Sequence, residues 1–187
     1  MKTIHLRQGL PLLLAEREAG IHTLSFFPDI PISVDEFLAE RNRVQDTLWS
    51  TAKLLPGVYN LVTHLKKHNI PMAVATSSRR RNFEKKTGHL QALFSLFEGK
   101  IICGDDKQYG EMRGKPSPDI FLLAAKALLG RDVGEPDAQT TDVQSEERAK
   151  GLVFEDALPG LQAGKRAGMS GKFQTSCPSI LNFHIFM

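Results

Sequence analysis

Residues 70–78 read Ile-Pro-Met-Ala-Val-Ala-Thr-Ser-Ser. Its first six residues are apolar without alternation, which is typical of a strand buried on both faces of a parallel sheet. Thr76, Ser77 and Ser78 follow directly, at the point where such a strand would end. The run therefore predicts an α/β fold with a polar group at the carboxyl end of a buried strand.

The same arrangement recurs twice further along the chain. Residues 100–103 form a short apolar run that leads into Gly-Asp-Asp at 104–106, and residues 151–154 lead into Glu155 and Asp156. Successive strand–helix units predict a parallel sheet covered by helices. Sites in such sheets lie outside the carboxyl ends of the strands, so we expect the three polar groups at one edge.

Helical signals lie between and before these strands. Residues 33–36 form a capping box ahead of the first clear helix, and residues 58–65 carry apolar side chains at helical spacing. Residues 118–129 and 158–167 predict two further helices, the second closed by Gly168. Residues 131–150 hold six acids and three bases without an apolar period, which predicts an exposed loop.

Composition limits the class of protein. The chain has 187 residues with 24 Lys and Arg against 21 Asp and Glu, a formal net charge of +3, and 41% hydrophobic residues. These values are ordinary for a globular domain and exclude disordered, collagen-like and coiled-coil classes. Two cysteines do not make a disulfide framework, and Cys103 is predicted to be a buried, inert thiol.

The chain lacks an apolar run long enough to span a membrane, and its amino end does not match a secretory signal. We therefore expect a cytoplasmic protein without a membrane partner. The histidines show no metal-ligand spacing; His64 and His68 are four residues apart, but no third ligand is evident.

The predicted sheet edge has the groups that a phosphate site needs. Thr76 and the backbone amides that follow it can cradle an anion, and Lys115 can bring a compact positive charge. Glu155 and Asp156 supply the hard oxygen ligands that Mg²⁺ takes. Each group alone is also typical of a helix cap or a surface turn, so the indication comes from their order and spacing together.

Three segments carry a family resemblance: residues 75–78, residues 114–121 (Gly-Lys-Pro-Ser-Pro-Asp-Ile-Phe) and residues 153–160 (Val-Phe-Glu-Asp-Ala-Leu-Pro-Gly). They resemble motifs II, III and IV of the haloacid dehalogenase (HAD) superfamily. The likeness is strongest to phosphatases with a small helical cap, such as pseudouridine-5′-phosphatase-like members. It covers about residues 31–169.

The resemblance implies a Rossmann-like HAD core with a parallel sheet and a helical cap, and Mg²⁺-dependent hydrolysis of a phosphomonoester through an aspartyl-phosphate. By position, Thr76 would bind the transferring phosphoryl group, assisted by the amide of Ser77. Lys115 would neutralise charge on the nucleophile and the phosphate. Asp156 would hold Mg²⁺, with Glu155 assisting. The expected substrate is a small phosphorylated metabolite, a nucleoside or sugar phosphate.

The sequence departs from the family at both ends. The family's nucleophile is the first Asp of an Asp-x-Asp motif after an N-terminal strand, and no such motif occurs before Pro56. We therefore expect residues 1–54 to be the remnant of the cap, 55–169 the core, and 170–187 an atypical tail. A sheet without its first, central strand would be marginally stable or would recruit a partner strand.

Three functions remain open. The first is a HAD-type phosphatase, truncated and impaired as written; the second is a catalytically inactive protein that binds phosphate or regulates. The third is nucleic-acid binding through the basic residues 79–86, although a solvated helix face or a lining of the substrate entrance explains them as well. We do not expect nucleic acid as a partner.

Overall fold

The computed structural model describes residues 12–173 and 185–186, and the chain divides into two compact units, Met1–Trp49 and Ser50–Met187. The helices are α1 (Leu12–Leu24), α2 (Val34–Leu48), α3 (Val58–Lys67), α4 (Arg80–Thr87), α5 (Gln91–Phe94), α6 (Asp119–Leu123), α7 (Asp142–Ala149) and α8 (Leu158–Arg166). The strands are β1 (Ala73–Thr76), β2 (Ile101–Cys103), β3 (Leu152–Glu155), β4 (Ser170–Phe173) and β5 (Ile185–Phe186). Every helix within the described residues is too short or too polar to span a bilayer.

The first unit is a pair of packed helices. The predicted capping box begins α2: the Ser33 amide donates to Glu36 Oε2 at 2.9 Å, and the Glu36 amide donates to Ser33 Oγ at 3.2 Å. Gly20 of α1 lies so close to α2 that an added Cβ would be 3.1 Å from a Leu38 methyl group. Since α2 buries none of its residues fully, this unit has little core of its own.

The second unit is built on one five-stranded sheet with the order β2-β1-β5-β3-β4. β1 pairs parallel with β2, and β3 pairs parallel with β4. β5 lies between β1 and β3 and runs antiparallel to both, so β1 and β3 point the same way. The four longer strands therefore place their carboxyl ends at one edge, as the three strand–helix units predicted.

The sheet is covered on both faces, which explains the unbroken apolar run at residues 70–75. Ala73 and Ala75 of β1 pack in one buried cluster with α6 and α8 residues such as Phe121 and Ala163. Val74, between them, packs in a second cluster with Phe83 and Phe97. Because successive strand residues point to opposite faces, both faces need apolar side chains.

One predicted loop is partly helical. Within residues 131–150, which we expected to be an exposed loop, α7 runs from Asp142 to Ala149. A capping box begins it, because the Gln144 amide donates to Thr141 Oγ1 at 3.2 Å and the Gln144 side chain returns to the Thr141 amide. No residue of α7 is buried, so it lacks the apolar stripe by which helices are recognised in a sequence. The prediction of a loop was therefore wrong here.

The segment predicted as an atypical tail also contains regular structure. Residues 170–173 form β4, which pairs with the whole length of β3 and extends the parallel sheet. Residues 185–186 form β5 at the centre of the sheet. The sequence predicts a sheet without its central strand. In the structure, residues 185–186 lie at that central position and pair with β1 and β3.

Candidate functional site

The turn after β1 forms the first wall of the site at the carboxyl edge of the sheet. Thr76, the last residue of β1, is almost fully buried, and its Oγ1 accepts a hydrogen bond from the Ser78 amide at 3.1 Å. This local bond bends the chain out of the strand and toward α4. The turn thus presents hydroxyls and amides at the edge, as the sequence predicted for Thr76 and Ser77.

Lys115 joins the two central parallel strands at this edge. Its ammonium donates to Glu155 Oε1 on β3 at 2.6 Å and to the Ala75 carbonyl on β1 at 3.3 Å. The ammonium also lies 4.8 Å from the ring centre of Phe121, and the Lys115 side chain is 8% exposed. Burial lowers the pKa of Lys115 to about 8, while the charge and hydrogen bond of Glu155 oppose that shift.

The loop that carries Lys115 is fastened at both ends. Arg113 forms a double ion pair with the Asp119 carboxylate, with Nε at 3.0 Å from Oδ2 and Nη2 at 2.6 Å from Oδ1. Arg166 of α8 donates to the Pro116 carbonyl at 2.9 Å. These contacts close residues 113–119 into a rigid loop and so determine where Lys115 points. Sequence reasoning missed Arg113, since an arginine six residues before an aspartate has no recognisable spacing.

Glu155 is the last residue of β3, and Asp156 follows it. Glu155 is 1% exposed, and Glu155 Oε2 and Asp156 Oδ1 are both screened from solvent. Gly160 of α8 makes room for the Glu155 carboxylate, because an added Cβ would lie 1.8 Å from Glu155 Cδ. Glycine is thus required here to let helix α8 pass directly over the carboxylate.

The two carboxylates fit a Mg²⁺ ion in part. Among the described residues, no cluster of three or more His, Cys, Asp or Glu side chains is arranged to hold a metal. Mg²⁺ nevertheless often binds through one or two carboxylates and completes its shell with water and substrate phosphate. Both carboxylates also interact with lysines of this chain: Glu155 pairs with Lys115, and the charge of Asp156 acts on Lys86 and Lys115.

The third polar group, at 104–106, supports the site and does not line it. Asp105 Oδ1 accepts from the Arg80 amide at 2.7 Å, at the start of α4. The buried Asp106 carboxylate accepts from the Cys103 amide at 2.8 Å and from the Arg80 guanidinium. A Cβ on Gly104 would be 2.7 Å from the Ser77 carbonyl oxygen, so this loop packs directly against the Thr76 turn.

The basic segment 79–86 is folded back on the same loops. Arg80 pairs with Asp106, and Lys86 Nζ donates to Ser78 Oγ at 3.2 Å. Two of its cations thus face groups of this chain. The nucleic-acid hypothesis for this segment stays a prediction.

Comparison with known proteins adds an independent line of evidence. A family model of haloacid dehalogenase-like hydrolases matches residues 4–168. A probable pseudouridine-5′-phosphatase of Saccharomyces cerevisiae is 38% identical over 161 residues, which are 86% of this chain and 61% of that protein. A (DL)-glycerol-3-phosphatase 2 of Arabidopsis thaliana is 39% identical over 139 residues, 74% of this chain and 51% of that protein.

A solved structure is similar as well. The crystal structure of a HAD hydrolase, family IA, variant 3 from Entamoeba histolytica superposes with a TM-score of 0.56 at 29% identity, over 80% of this chain and 60% of that one. This chain spans about half to three fifths of the length of the curated relatives quoted above. The predicted fold class and family are therefore confirmed.

Proposed function

The chain belongs to the haloacid dehalogenase-like hydrolases, and from that membership we propose that its site binds phosphomonoesters of small metabolites and hydrolyses them with Mg²⁺. Relatives named as phosphatases of pseudouridine-5′-phosphate and glycerol-3-phosphate support this substrate class. One observation carries the proposal: the buried ammonium of Lys115 is held at the carboxyl edge of the sheet between Ala75 and Glu155.

Each predicted residue has a role that its place in the structure permits. The Thr76 hydroxyl and the Ser77 amide would bind phosphoryl oxygens, and Lys115 would offset their negative charge. Asp156, with Glu155, would hold Mg²⁺, which supplies further positive charge toward the phosphoryl group when bound. The tether of Glu155 and Ala75 keeps Lys115 pointed at the edge before substrate arrives, which spares the entropy of ordering a flexible side chain.

A second candidate is a member of the family that binds phosphate without turning it over. Hydrolysis through a covalent intermediate needs a group that attacks phosphorus, and no Asp-x-Asp motif occurs before Pro56. Between β1 and β3, at the centre of the sheet, the structure has Ile185–Phe186, neither of which is a nucleophile. This observation favours binding without catalysis.

Two measurements separate the candidates: calorimetric binding of orthophosphate in the presence of Mg²⁺, and turnover of p-nitrophenyl phosphate. Both candidates require orthophosphate binding that Lys115→Met, titrated below its melting temperature so that the variant is folded, weakens at least tenfold, since one charge-assisted bond accounts for about that factor. Lys67→Met, which removes an exposed cation from α3, is the matched control and should leave binding unchanged.

Turnover of p-nitrophenyl phosphate then distinguishes the two candidate functions. Mg²⁺-dependent hydrolysis that is absent from Lys115→Met purified in the same way supports the phosphatase. Orthophosphate binding without hydrolysis, over a panel of nucleoside and sugar monophosphates, supports the second candidate. If the wild-type chain does not bind orthophosphate at all, both candidates are wrong.

A further inference from the structure

Lys86 is a second lysine beside the Thr76 turn, and the sequence motifs do not single it out. It lies in the second turn of α4, the helix that leaves the Thr76 turn. Side chains of an α-helix lean toward its amino end, so a long side chain two turns into α4 reaches back toward the turn that precedes the helix. The half-buried Lys86 does so, while Lys67 of α3 stays exposed to solvent.

The contacts of Lys86 connect it to the predicted phosphate-binding hydroxyl. Lys86 Nζ donates to Ser78 Oγ at 3.2 Å. The amide of the same Ser78 donates to Thr76 Oγ1 at 3.1 Å. Ser78 therefore links the Lys86 ammonium to the Thr76 side chain. Ser78 and Thr76 belong to the turn at the carboxyl edge of the sheet.

The charge of one carboxylate, that of Asp156, acts on both lysines. Burial lowers the pKa of Lys86, and the nearby Asp156 carboxylate opposes that shift. Asp156 acts in the same direction on Lys115. The charges of Lys86 and Lys115 therefore balance those of Glu155 and Asp156, and a Mg²⁺ ion together with a doubly charged phosphate would preserve that balance.

We propose that Lys86 is a second phosphate-binding cation of this site, which acts together with Lys115. This inference rests on the proposed function. A charge-assisted bond from the Lys86 ammonium to a phosphate oxygen is stronger than a bond to the neutral Ser78 hydroxyl. Arg80, on the same helix, pairs with Asp106.

The test is calorimetric titration of the full chain with orthophosphate at saturating Mg²⁺, and separately with Mg²⁺ alone. We expect Lys86→Met to weaken orthophosphate binding about tenfold, and Lys86→Arg to recover most of it because the charge is retained. Lys67→Met should match the wild type. Mg²⁺ alone should bind Lys86→Met at least as tightly as wild type, since a positive charge has been removed from beside Asp156.

Lys86→Met should weaken orthophosphate binding but should not weaken Mg²⁺ binding. This difference distinguishes a phosphate-binding lysine from one that only supports the structure. If Lys86→Met loses affinity for orthophosphate and Mg²⁺ together, melts at lower temperature and is not rescued by Lys86→Arg, the lysine is structural and the inference is wrong. If Lys86→Met binds orthophosphate like the wild type while Lys115→Met does not, the inference fails and the proposed function stands. If the wild type binds no orthophosphate, both fail.

Discussion

Glu155 is a carboxylate buried at the centre of the fold, and the residues around it show what such a charge requires. Its side chain has no solvent exposure, and Lys115 donates to it at 2.6 Å. A buried ion costs several kcal/mol of desolvation, which only a close, hydrogen-bonded partner offsets. The pair therefore links the free energy of folding to the geometry of the site, and removing either partner alone should lower the stability of the fold.

Gly160→Ala tests how closely α8 packs on this pair. The added methyl group would overlap the Glu155 carboxylate, so Glu155 must move and its bond to Lys115 must break. We expect the free energy of unfolding in urea to fall by about 3 kcal/mol. Gly88→Ala is the control, since nothing lies within 4 Å of its Cβ position, and it should be neutral or slightly stabilising. Equal stability of the two variants would contradict this packing.

Cys103 offers a test of burial at the end of β2. The residue has no solvent exposure, and burial raises the pKa of its thiol to about 12. Since the thiolate is the reactive form, we expect iodoacetamide at pH 8 to label native Cys103 about a thousandfold more slowly than an exposed thiol. Peptide mass spectrometry of native and urea-unfolded samples measures this, and rapid labelling of the native chain would refute it.

At the scale of the elements, helix starts are held by two different devices. Ser33 and Thr141 cap α2 and α7 from within the local sequence. α4 is different: the amide of its first residue, Arg80, donates a hydrogen bond to the carboxylate of Asp105, 25 residues further along the chain. A local cap can be read from three or four adjacent residues, whereas the cap of α4 depends on two loops meeting at the sheet edge.

Thr141→Ala should destabilise α7 specifically. The change removes the acceptor of the Gln144 amide, and loss of a cap costs about 1 kcal/mol. Faster hydrogen exchange of the amides in Asp142–Ala149, with β1 and β3 unaffected, would show it. Thr141→Ser keeps the hydroxyl and should preserve protection; if it exchanges as fast as the alanine variant, the cap does not stabilise the helix.

For the whole molecule, β5 decides whether the core holds together. Two residues, Ile185 and Phe186, pair with Ala73 and Val74 on one side and with Val153 and Phe154 on the other. Without them the β2-β1 pair and the β3-β4 pair would share no backbone ladder, and buried amides and carbonyls would lose their partners. We expected a sheet that lacks its central strand. In the structure β5 forms the centre of the sheet.

Ile185→Pro tests this directly. Proline removes a backbone donor and cannot be accommodated in a central strand, so we expect the free energy of unfolding to fall by about 3 kcal/mol or more. The Ala73 amide, which faces β5 because the Val74 amide donates to the Lys100 carbonyl on the other side, should lose protection from hydrogen exchange. Ile185→Val leaves the backbone pairing intact and is the control. A proline variant as stable as the valine variant would mean that β5 does not hold the sheet.

Local periodicity and short motifs are enough to predict the three strand–helix units, their parallel sheet and the family. Thr76 and Glu155 end strands, Asp156 follows one and Lys115 lies within a motif, so the sequence marks their positions; their roles toward phosphate and Mg²⁺ stay predictions. The other features depend on tertiary contacts. The tether of Lys115, the reach of Lys86, the space that Gly160 leaves and the place of β5 all join residues far apart in sequence, and such contacts leave no local pattern to read.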